Sequence, residues 1–117
     1  MEADEQRAVF EWAEYAKGKY PCLKWMHHIP NGGSRNKIEA VRLKAQGVKR
    51  GVPDISLPYP SGKYHGLYIE MKYGKGKVRP EQQEFLEYAS GVGYKTAVCL
   101  GMLEAVKVIL AYLEEKR

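Results

Sequence analysis

Hydrophobic and polar positions along the chain follow two periodicities, which predict helices and strands in the order α, β, α, β, β, α, β, α. In residues 3–16 the apolar side chains recur at helical spacing: Val9, Trp12, Ala13 and Ala16. In residues 23–29 apolar and polar side chains alternate, which is typical of a half-buried strand. This succession predicts an α/β fold in which a mixed β-sheet is flanked by α-helices.

The middle of the chain predicts a hairpin of two strands. Residues 52–57 and 68–72 are short, largely apolar runs, and the prolines and glycine that separate them favour a turn over residues 59–63. Glu70 and Lys72 are two residues apart and therefore lie on one face of the second strand. The residues between and beside them point to the other face, where a helix can cover them.

Three further helices and a strand complete the predicted fold. The helix predicted for residues 36–46 has Ile38, Val41 and Ala45 on one face and ends at Gly47, a residue typical of helix C-termini. A second helix begins at Pro80, which suits a first turn. Its apolar face is formed by Phe85, Leu86 and Ala89. Residues 94–100 predict a buried strand. The last helix, residues 103–115, has an apolar stripe at spacings of three and four: Leu103, Val106, Leu110 and Leu113.

Length and composition are those of one globular domain, which we expect to span residues 1–117. Cys22 and Cys99 have neither metal-ligand spacing nor a disulfide framework, and Cys99 lies in an apolar run. The N-terminus is acidic and polar, without the features of a signal peptide. We therefore expect a soluble, cytoplasmic protein. The net charge of +5 favours a polyanionic partner, although clustered charges are often only solvated surface.

The predicted hairpin gathers the candidate chemistry of the chain. It returns Asp54, on its first strand, to a position beside Glu70 and Lys72. Two carboxylates and an ammonium group at one point suit a divalent-metal site with an activating cation. A buried ion-pair network is the alternative interpretation, because charged groups in a sheet are costly unless they are paired.

These residues carry a resemblance to a known family. Pro53-Asp54 followed by Glu70-Met71-Lys72 resembles the PD-(D/E)XK nuclease superfamily. The surrounding residues 47–55, 66–72, 80–82 and 93–94 are similar to the VRR-NUC family in its stand-alone, phage or bacterial form. The resemblance covers nearly the whole chain. It implies a restriction-endonuclease-like core and a metal-dependent hydrolase of DNA phosphodiester bonds.

The resemblance also implies roles for individual residues. Asp54, Glu70 and the carbonyl of Met71 would bind Mg²⁺ or Mn²⁺, and Lys72 would orient or activate the attacking water. Gln82, in the first turn of its helix, would align the water or a carboxylate. Glu2, one turn before a glutamine, would serve the metals from the first helix. Glu5 is the alternative for that position, and an acid that favours the helix dipole is the simpler interpretation of either.

Polar and basic residues in three loops predict contacts with the phosphate backbone of DNA. They are Asn31, Arg35, Lys49, Arg50, Lys75 and Lys77. Ordinary solvated loops would explain the same residues. The histidines His27 and His28 lack partners at ligand spacing, so we interpret them as packed or DNA-facing side chains rather than metal ligands.

The stand-alone form of the family resembles Holliday-junction resolvases, which implies branched or four-way DNA as substrate. Two symmetric cuts need two sites, and a homodimer would supply them. Its interface is expected in the tyrosine-rich segments 59–73 and 88–94 or on the last helix. The alternatives are a monomeric flap or duplex nuclease and a non-catalytic basic DNA-binding module.

Overall fold

The chain, as a computed structural model, is described for residues 2–30 and 36–115, with side chains from Asp4 onward. Its elements are α1 (Glu2–Ala16), a 3₁₀ helix (Pro21–Trp25), β1 (His27–His28), α2 (Lys37–Ala45), β2 (Ile55–Leu57), β3 (Leu67–Lys72), α3 (Pro80–Gly91), β4 (Lys95–Leu100) and α4 (Gly101–Leu113). Apart from the 3₁₀ helix, their order is the predicted one. Within the described ranges no helix is both long enough and apolar enough to cross a membrane.

The sheet is mixed and has the strand order β1-β2-β3-β4. The first three strands are antiparallel, and β4 is parallel to β3. Ile55 pairs with Ile69, and Leu57 pairs with Leu67, so β2 and β3 form the predicted hairpin. The predicted mixed sheet with flanking helices is confirmed.

Successive side chains of β3 point to opposite faces of the sheet, and helices cover both faces. Ile69 and Met71 are buried in the main core, which also contains side chains of α1 and α4. On the other face Tyr68 meets Phe85 of α3 edge to face, with ring centroids 5.2 Å apart. The sheet is therefore a layer between α1 and α4 on one side and α3 on the other, and Glu70 and Lys72 share the face covered by α3.

The strand predicted for residues 23–29 is largely wrong. Residues Pro21–Trp25 form a 3₁₀ helix that begins at a proline, and only His27 and His28 belong to a strand. Leu23 and Met26, three residues apart, are buried, whereas Trp25 is exposed. The burial follows a helical spacing because this segment packs as a turn beneath α1 instead of extending the sheet.

The strand predicted for residues 94–100 exists, but it is not buried. It lies at the edge of the sheet, and of its side chains only Cys99 is buried. Val98 and Leu100 are about half exposed on the face that carries α3. An edge strand has a neighbour on one side only, which the apolar character of its sequence did not indicate.

The apolar stripe predicted for the last helix is only partly buried: Leu113 packs against the core, but the fully buried face is a different one. The buried residues of α4 are Ala105, Ile109 and Tyr112, while Leu103 is exposed. This helix is apolar on most of its circumference, so periodicity did not select a face. Packing against α1 and β3 selected it.

The helix predicted for residues 36–46 forms, but its apolar face is uncovered. Asn36 caps α2 by accepting a hydrogen bond from the backbone of Glu39. None of the residues of α2 is buried, and Ile38 and Val41 are 84% and 68% exposed. The surface formed by Ile38 and Val41 is called the α2 apolar surface below.

Candidate active site

Asp54 directly precedes β2, and hydrogen bonds hold both its side chain and its backbone carbonyl. Its carboxylate Oδ2 accepts a hydrogen bond from the backbone N–H of Met71 at 2.8 Å. Its backbone carbonyl accepts from the N–H of Ile29 and from the Nδ1 atom of His28, each at 2.8 Å. The strand predicted for residues 52–57 is shorter in the structure, where β2 begins at Ile55. The hydrogen bonds to β1 and β3 fix Asp54 between these two strands.

Glu70, on β3, is buried beneath α3 and is 3% exposed. Its Oε2 atom accepts a hydrogen bond from Nε2 of Gln82 at 2.9 Å and lies 3.3 Å from Nζ of Lys72. Burial raises the pKa of Glu70 from its ordinary 4.5 to about 7, and the charge of nearby Asp54 adds to this effect. Lys72 acts in the opposite direction, since its ammonium group favours the carboxylate form.

Gln82 connects the two charged residues of β3. It is buried in the first turn of α3, which begins with Pro80 at its first position. Its Oε1 atom accepts from Nζ of Lys72 at 2.8 Å and from the backbone N–H of Arg79 at 2.9 Å. Both lone pairs of this oxygen are thereby engaged, and the amide Nε2 binds Glu70. The helix start therefore places one amide between a carboxylate and an ammonium group.

A close backbone contact brings the segment before Asp54 onto the same helix turn. Gly51 has a φ of +90°, and a Cβ atom there would lie 2.4 Å from the carbonyl oxygen of Glu81. Only glycine allows both the conformation and the approach. Next to this contact the carboxylate of Glu81 lies 3.7 Å from Arg50 and 3.1 Å from Arg79.

These groups line a cavity of about 650 Å³ at one end of the sheet. Six of the predicted site residues line it: Asp54, Glu70, Met71, Lys72, Lys77 and Gln82. Residues outside the predicted set also line it: Gln6, His28, Tyr73, Gly76 and Arg79. The sequence holds no local signal for His28 or Arg79, because strand pairing and the start of α3 bring them to the cavity.

Several predicted residues are not placed at this cavity. Asn31, Arg35 and the side chain of Glu2 lie outside the described residues. Gln6 is one turn after Glu2 on α1 and lines the cavity. Glu5 does not serve it in the structure, because its Oε1 atom accepts the backbone N–H of Met102 at 2.9 Å and so caps α4.

The remaining cationic candidates among the described residues are exposed. Lys49, Arg50 and Lys75 are all exposed and do not belong to the cavity lining. His27 is also exposed, and its Nδ1 atom bonds to the carbonyl of Trp25 instead of to the site. Of the two histidines, only His28 is part of the cavity.

The donors in the cavity fit a hard divalent cation. Among the described residues no three His, Cys, Asp or Glu side chains converge on one point. Asp54, Glu70 and the Met71 carbonyl supply oxygen atoms, the ligand type that Mg²⁺ and Mn²⁺ prefer, and Mg²⁺ commonly keeps several waters. Burial, and after it the charge of Asp54, raises the pKa of Glu70, and a bound cation would favour the charged form of both carboxylates.

The mixed sheet, with its acid-bearing hairpin and helices on both faces, defines a restriction-endonuclease-like core. The VRR-NUC domain matches residues 1–103, and the chain belongs to the VRR-NUC family. A solved structure described as "VRR_NUC domain protein" is 33% identical and superposes with a TM-score of 0.83, over 97% of this chain and 88% of that one. Among curated proteins, no significant match is found. VRR-NUC proteins are nucleases, and they are generally metal-dependent.

Proposed function

We propose that this protein is an endodeoxyribonuclease that hydrolyses phosphodiester bonds with Mg²⁺ or Mn²⁺ at the cavity around Asp54, Glu70 and Lys72. The observation that carries the proposal is the buried chain of contacts Lys72–Gln82–Glu70 beside Asp54. A purely structural ion pair would not need a second carboxylate at an open cavity. The proposal treats residues 1–117 as one nuclease domain that acts in the cytoplasm.

Each residue of the site has a chemical task in this proposal. Asp54, Glu70 and the Met71 carbonyl would hold the ion, which would polarise the phosphoryl group and lower the pKa of its water. Lys72 has three N–H donors, of which two face Gln82 and Glu70. The third is available for the attacking water or a phosphate oxygen, where the ammonium charge offsets the negative charge that develops. Glu2 would assist from α1.

Cleavage of labelled DNA with and without Mg²⁺ or Mn²⁺ tests the proposal. Glu70→Ala and Asp54→Ala should abolish cutting while DNA binding persists, because each change removes a negative charge together with an ion ligand. Glu87→Ala, on the exposed side of α3, is a matched control for loss of an acid. Cutting by Glu70→Ala at the normal rate would exclude this site as the centre of cleavage. A wild type that binds DNA but does not cut it with either ion would leave the non-catalytic DNA-binding module as the better interpretation.

The backbone of DNA would be held by polar and basic residues. We include the predicted set, Asn31, Arg35, Lys49, Arg50, Lys75 and Lys77, and add Arg79 because it lines the cavity. Such contacts position DNA without reading its sequence. An enzyme that selects the structure of DNA rather than its sequence is consistent with such contacts.

The substrate we propose is branched DNA, with a four-way junction resolved by a homodimer. The α2 apolar surface supports self-association, because Ile38 and Val41 are exposed on a helix without a buried residue. In the segments expected to form an interface, Tyr88 is 67% exposed, whereas Tyr68 and Tyr94 pack against each other.

Light scattering with and without a four-way junction tests the assembly. The wild type should have the mass of a dimer, and Ile38→Glu should reduce it to a monomer that no longer makes paired cuts. Tyr15→Glu, on α1, is a matched control because Tyr15 is also exposed and lies outside the segments expected to form the interface. A monomer under all conditions that prefers flaps would support the alternative of a monomeric flap nuclease.

A further inference from the structure

His28 occupies a place in the cavity that the proposed chemistry has not used. It lies on β1, next to β2 in the sheet, whereas Glu70 and Lys72 are on β3 at the far side of β2. Asp54 lies between these strands. His28 pairs with Ile55, and Ile55 pairs with Ile69, so His28 is on the face of the sheet that carries α1, whereas Glu70 and Lys72 are on the face covered by α3. All three line the cavity at the end of the sheet.

The contact between His28 and Asp54 fixes which ring nitrogen carries hydrogen. A backbone carbonyl can only accept a hydrogen bond, so Nδ1 of His28, 2.8 Å from the carbonyl oxygen of Asp54, is the donor. In the neutral imidazole this leaves Nε2 as an acceptor. The side chain is exposed and lines the cavity, so this acceptor is accessible from it.

Acceptors are scarce among the cavity-lining side chains of the described residues. Lys72, Lys77 and Arg79 are donors only, and both lone pairs of Gln82 Oε1 are engaged. The carboxylates are the proposed ion ligands. Gln6, His28 and the hydroxyl of Tyr73 are the remaining side-chain groups of the lining that can accept a hydrogen bond. A Mg²⁺ ion with few protein ligands keeps several waters, and each of these is a strong donor that needs an acceptor.

We propose that His28 is a positioning residue of the metal site: its Nε2 atom accepts a hydrogen bond from a water of the hydrated ion bound at Asp54 and Glu70. The inference rests on the proposed function, because it presupposes that the ion binds there. It assigns His28 to the surroundings of the ion rather than to its direct ligands, in agreement with the absence of three converging ligand side chains among the described residues.

Two substitutions of His28 distinguish the role of Nδ1 from the role of Nε2. His28→Asn keeps an amide near the position of Nδ1 and loses the acceptor at Nε2. His28→Gln carries its amide further from the backbone and restores an acceptor near Nε2. His27→Asn is the matched control, because His27 is the neighbouring exposed histidine and also bonds a backbone carbonyl through Nδ1, but it does not line the cavity.

Titration of the folded, metal-free protein with Mn²⁺ in a calorimeter gives a readout that is independent of DNA cleavage. His28→Asn should weaken Mn²⁺ binding roughly tenfold, as is usual for groups that orient a metal site from outside its ligands. His28→Gln should recover most of the affinity, and His27→Asn should bind as the wild type does. The midpoint of thermal unfolding without metal confirms that each variant is folded.

The inference is overturned if His28→Asn binds Mn²⁺ as tightly as the wild type, or if His28→Gln is as weak as His28→Asn. The second result would mean that an acceptor at the position of Nε2 is not what the site requires from His28. Asp54→Ala separates this failure from that of the proposed function. If Asp54→Ala loses Mn²⁺ binding while His28→Asn keeps it, only the role of His28 is wrong; if Asp54→Ala also binds normally, both proposals fall.

Discussion

Gln82 donates its amide N–H to Oε2 of Glu70 across 2.9 Å, and this bond ties the first turn of α3 to the middle of the sheet. The same amide accepts from Lys72 through its oxygen. Gln82 thus sets the distance between the carboxylate and the ammonium group. A change of this one side chain should disturb both partners at once.

Gln82→Ala should reduce DNA cleavage by about two orders of magnitude, comparable to the loss of a preorganised polar group in other active sites. It should also lower the free energy of unfolding by about 1–3 kcal/mol, because Glu70 and Lys72 lose a buried partner. Single-turnover cleavage and urea unfolding measure the two effects. Gln83→Ala is the control, since Gln83 is exposed and bonds to Glu87. Equal rates for the two variants would contradict the role assigned to Gln82.

Glu70 should make the metal-free protein less stable as the pH rises. Its pKa is raised from 4.5 to about 7 in the folded state, so the folded state holds this proton more tightly than the unfolded state does. The stabilisation is complete below about pH 4.5 and is lost as the pH rises to about 7.

Glu70→Gln should remove this loss, because a neutral amide replaces the buried charge. Above about pH 7, in a chelator, the variant should be more stable than the wild type by about 3 kcal/mol. Adding Mn²⁺ should raise the unfolding temperature of the wild type only. Thermal unfolding over a pH series measures both. A stability difference between the two proteins that does not vary with pH would count against the raised pKa.

Gly51→Ala should disturb the site through the backbone. The new Cβ would meet the carbonyl of Glu81 at 2.4 Å, and the positive φ would be strained. We expect a loss of about 2–4 kcal/mol of stability, at the upper end of ordinary single substitutions. Gly47→Ala is the matched control: its φ is +104°, but a Cβ there has nothing within 4 Å. Gly47→Ala should lower the free energy of unfolding by about 1 kcal/mol, from backbone strain alone. Equal losses in urea unfolding would show that the contact with Glu81 is unimportant.

The loop between β3 and α3 should contribute to the salt dependence of DNA binding. Lys75 and Lys77 are both exposed, and Lys77 lines the cavity. Replacing both with alanine should flatten the plot of log affinity against log salt by about one to two units, if each lysine meets a phosphate. Fluorescence anisotropy with a labelled duplex measures the slope. Lys107→Ala, on α4, should leave it unchanged, and an equal slope for the double variant would exclude the loop from the contact.

Glu5→Ala should affect stability and not catalysis. The Glu5 carboxylate caps α4 through the N–H of Met102, and losing a cap of this kind costs about 1 kcal/mol. Cleavage at a temperature where the variant is folded should match the wild type. Glu11→Ala, also exposed on α1, is the control for stability. A large loss of cleavage would return Glu5 to the list of metal-site candidates.

The local pattern of the chain was sufficient wherever the physics is local. The spacing of Val9 and Ala13 predicted the buried face of α1, and Pro80 predicted the start of α3. The turn between residues 57 and 67 predicted the hairpin, and hence that Asp54 returns to the strand carrying Glu70. Helix periodicity, proline geometry and hairpin closure depend on residues that are near one another in sequence.

The tertiary structure alone decided which surfaces are covered and which atoms meet. Val98 is exposed despite the apolar sequence of β4, because this strand lies at the edge of the sheet. In α4, Ile109 is buried and Leu103 is exposed because of how the helix packs against α1. His28 lines the cavity because β1 pairs with β2. Glu5 bonds to the N-terminus of α4 instead of lying at the cavity. The sequence by itself determined the residues able to form the site, because side-chain chemistry and short-range geometry are written locally. Their hydrogen-bond partners and burial depend on contacts between distant segments, which only the folded chain specifies.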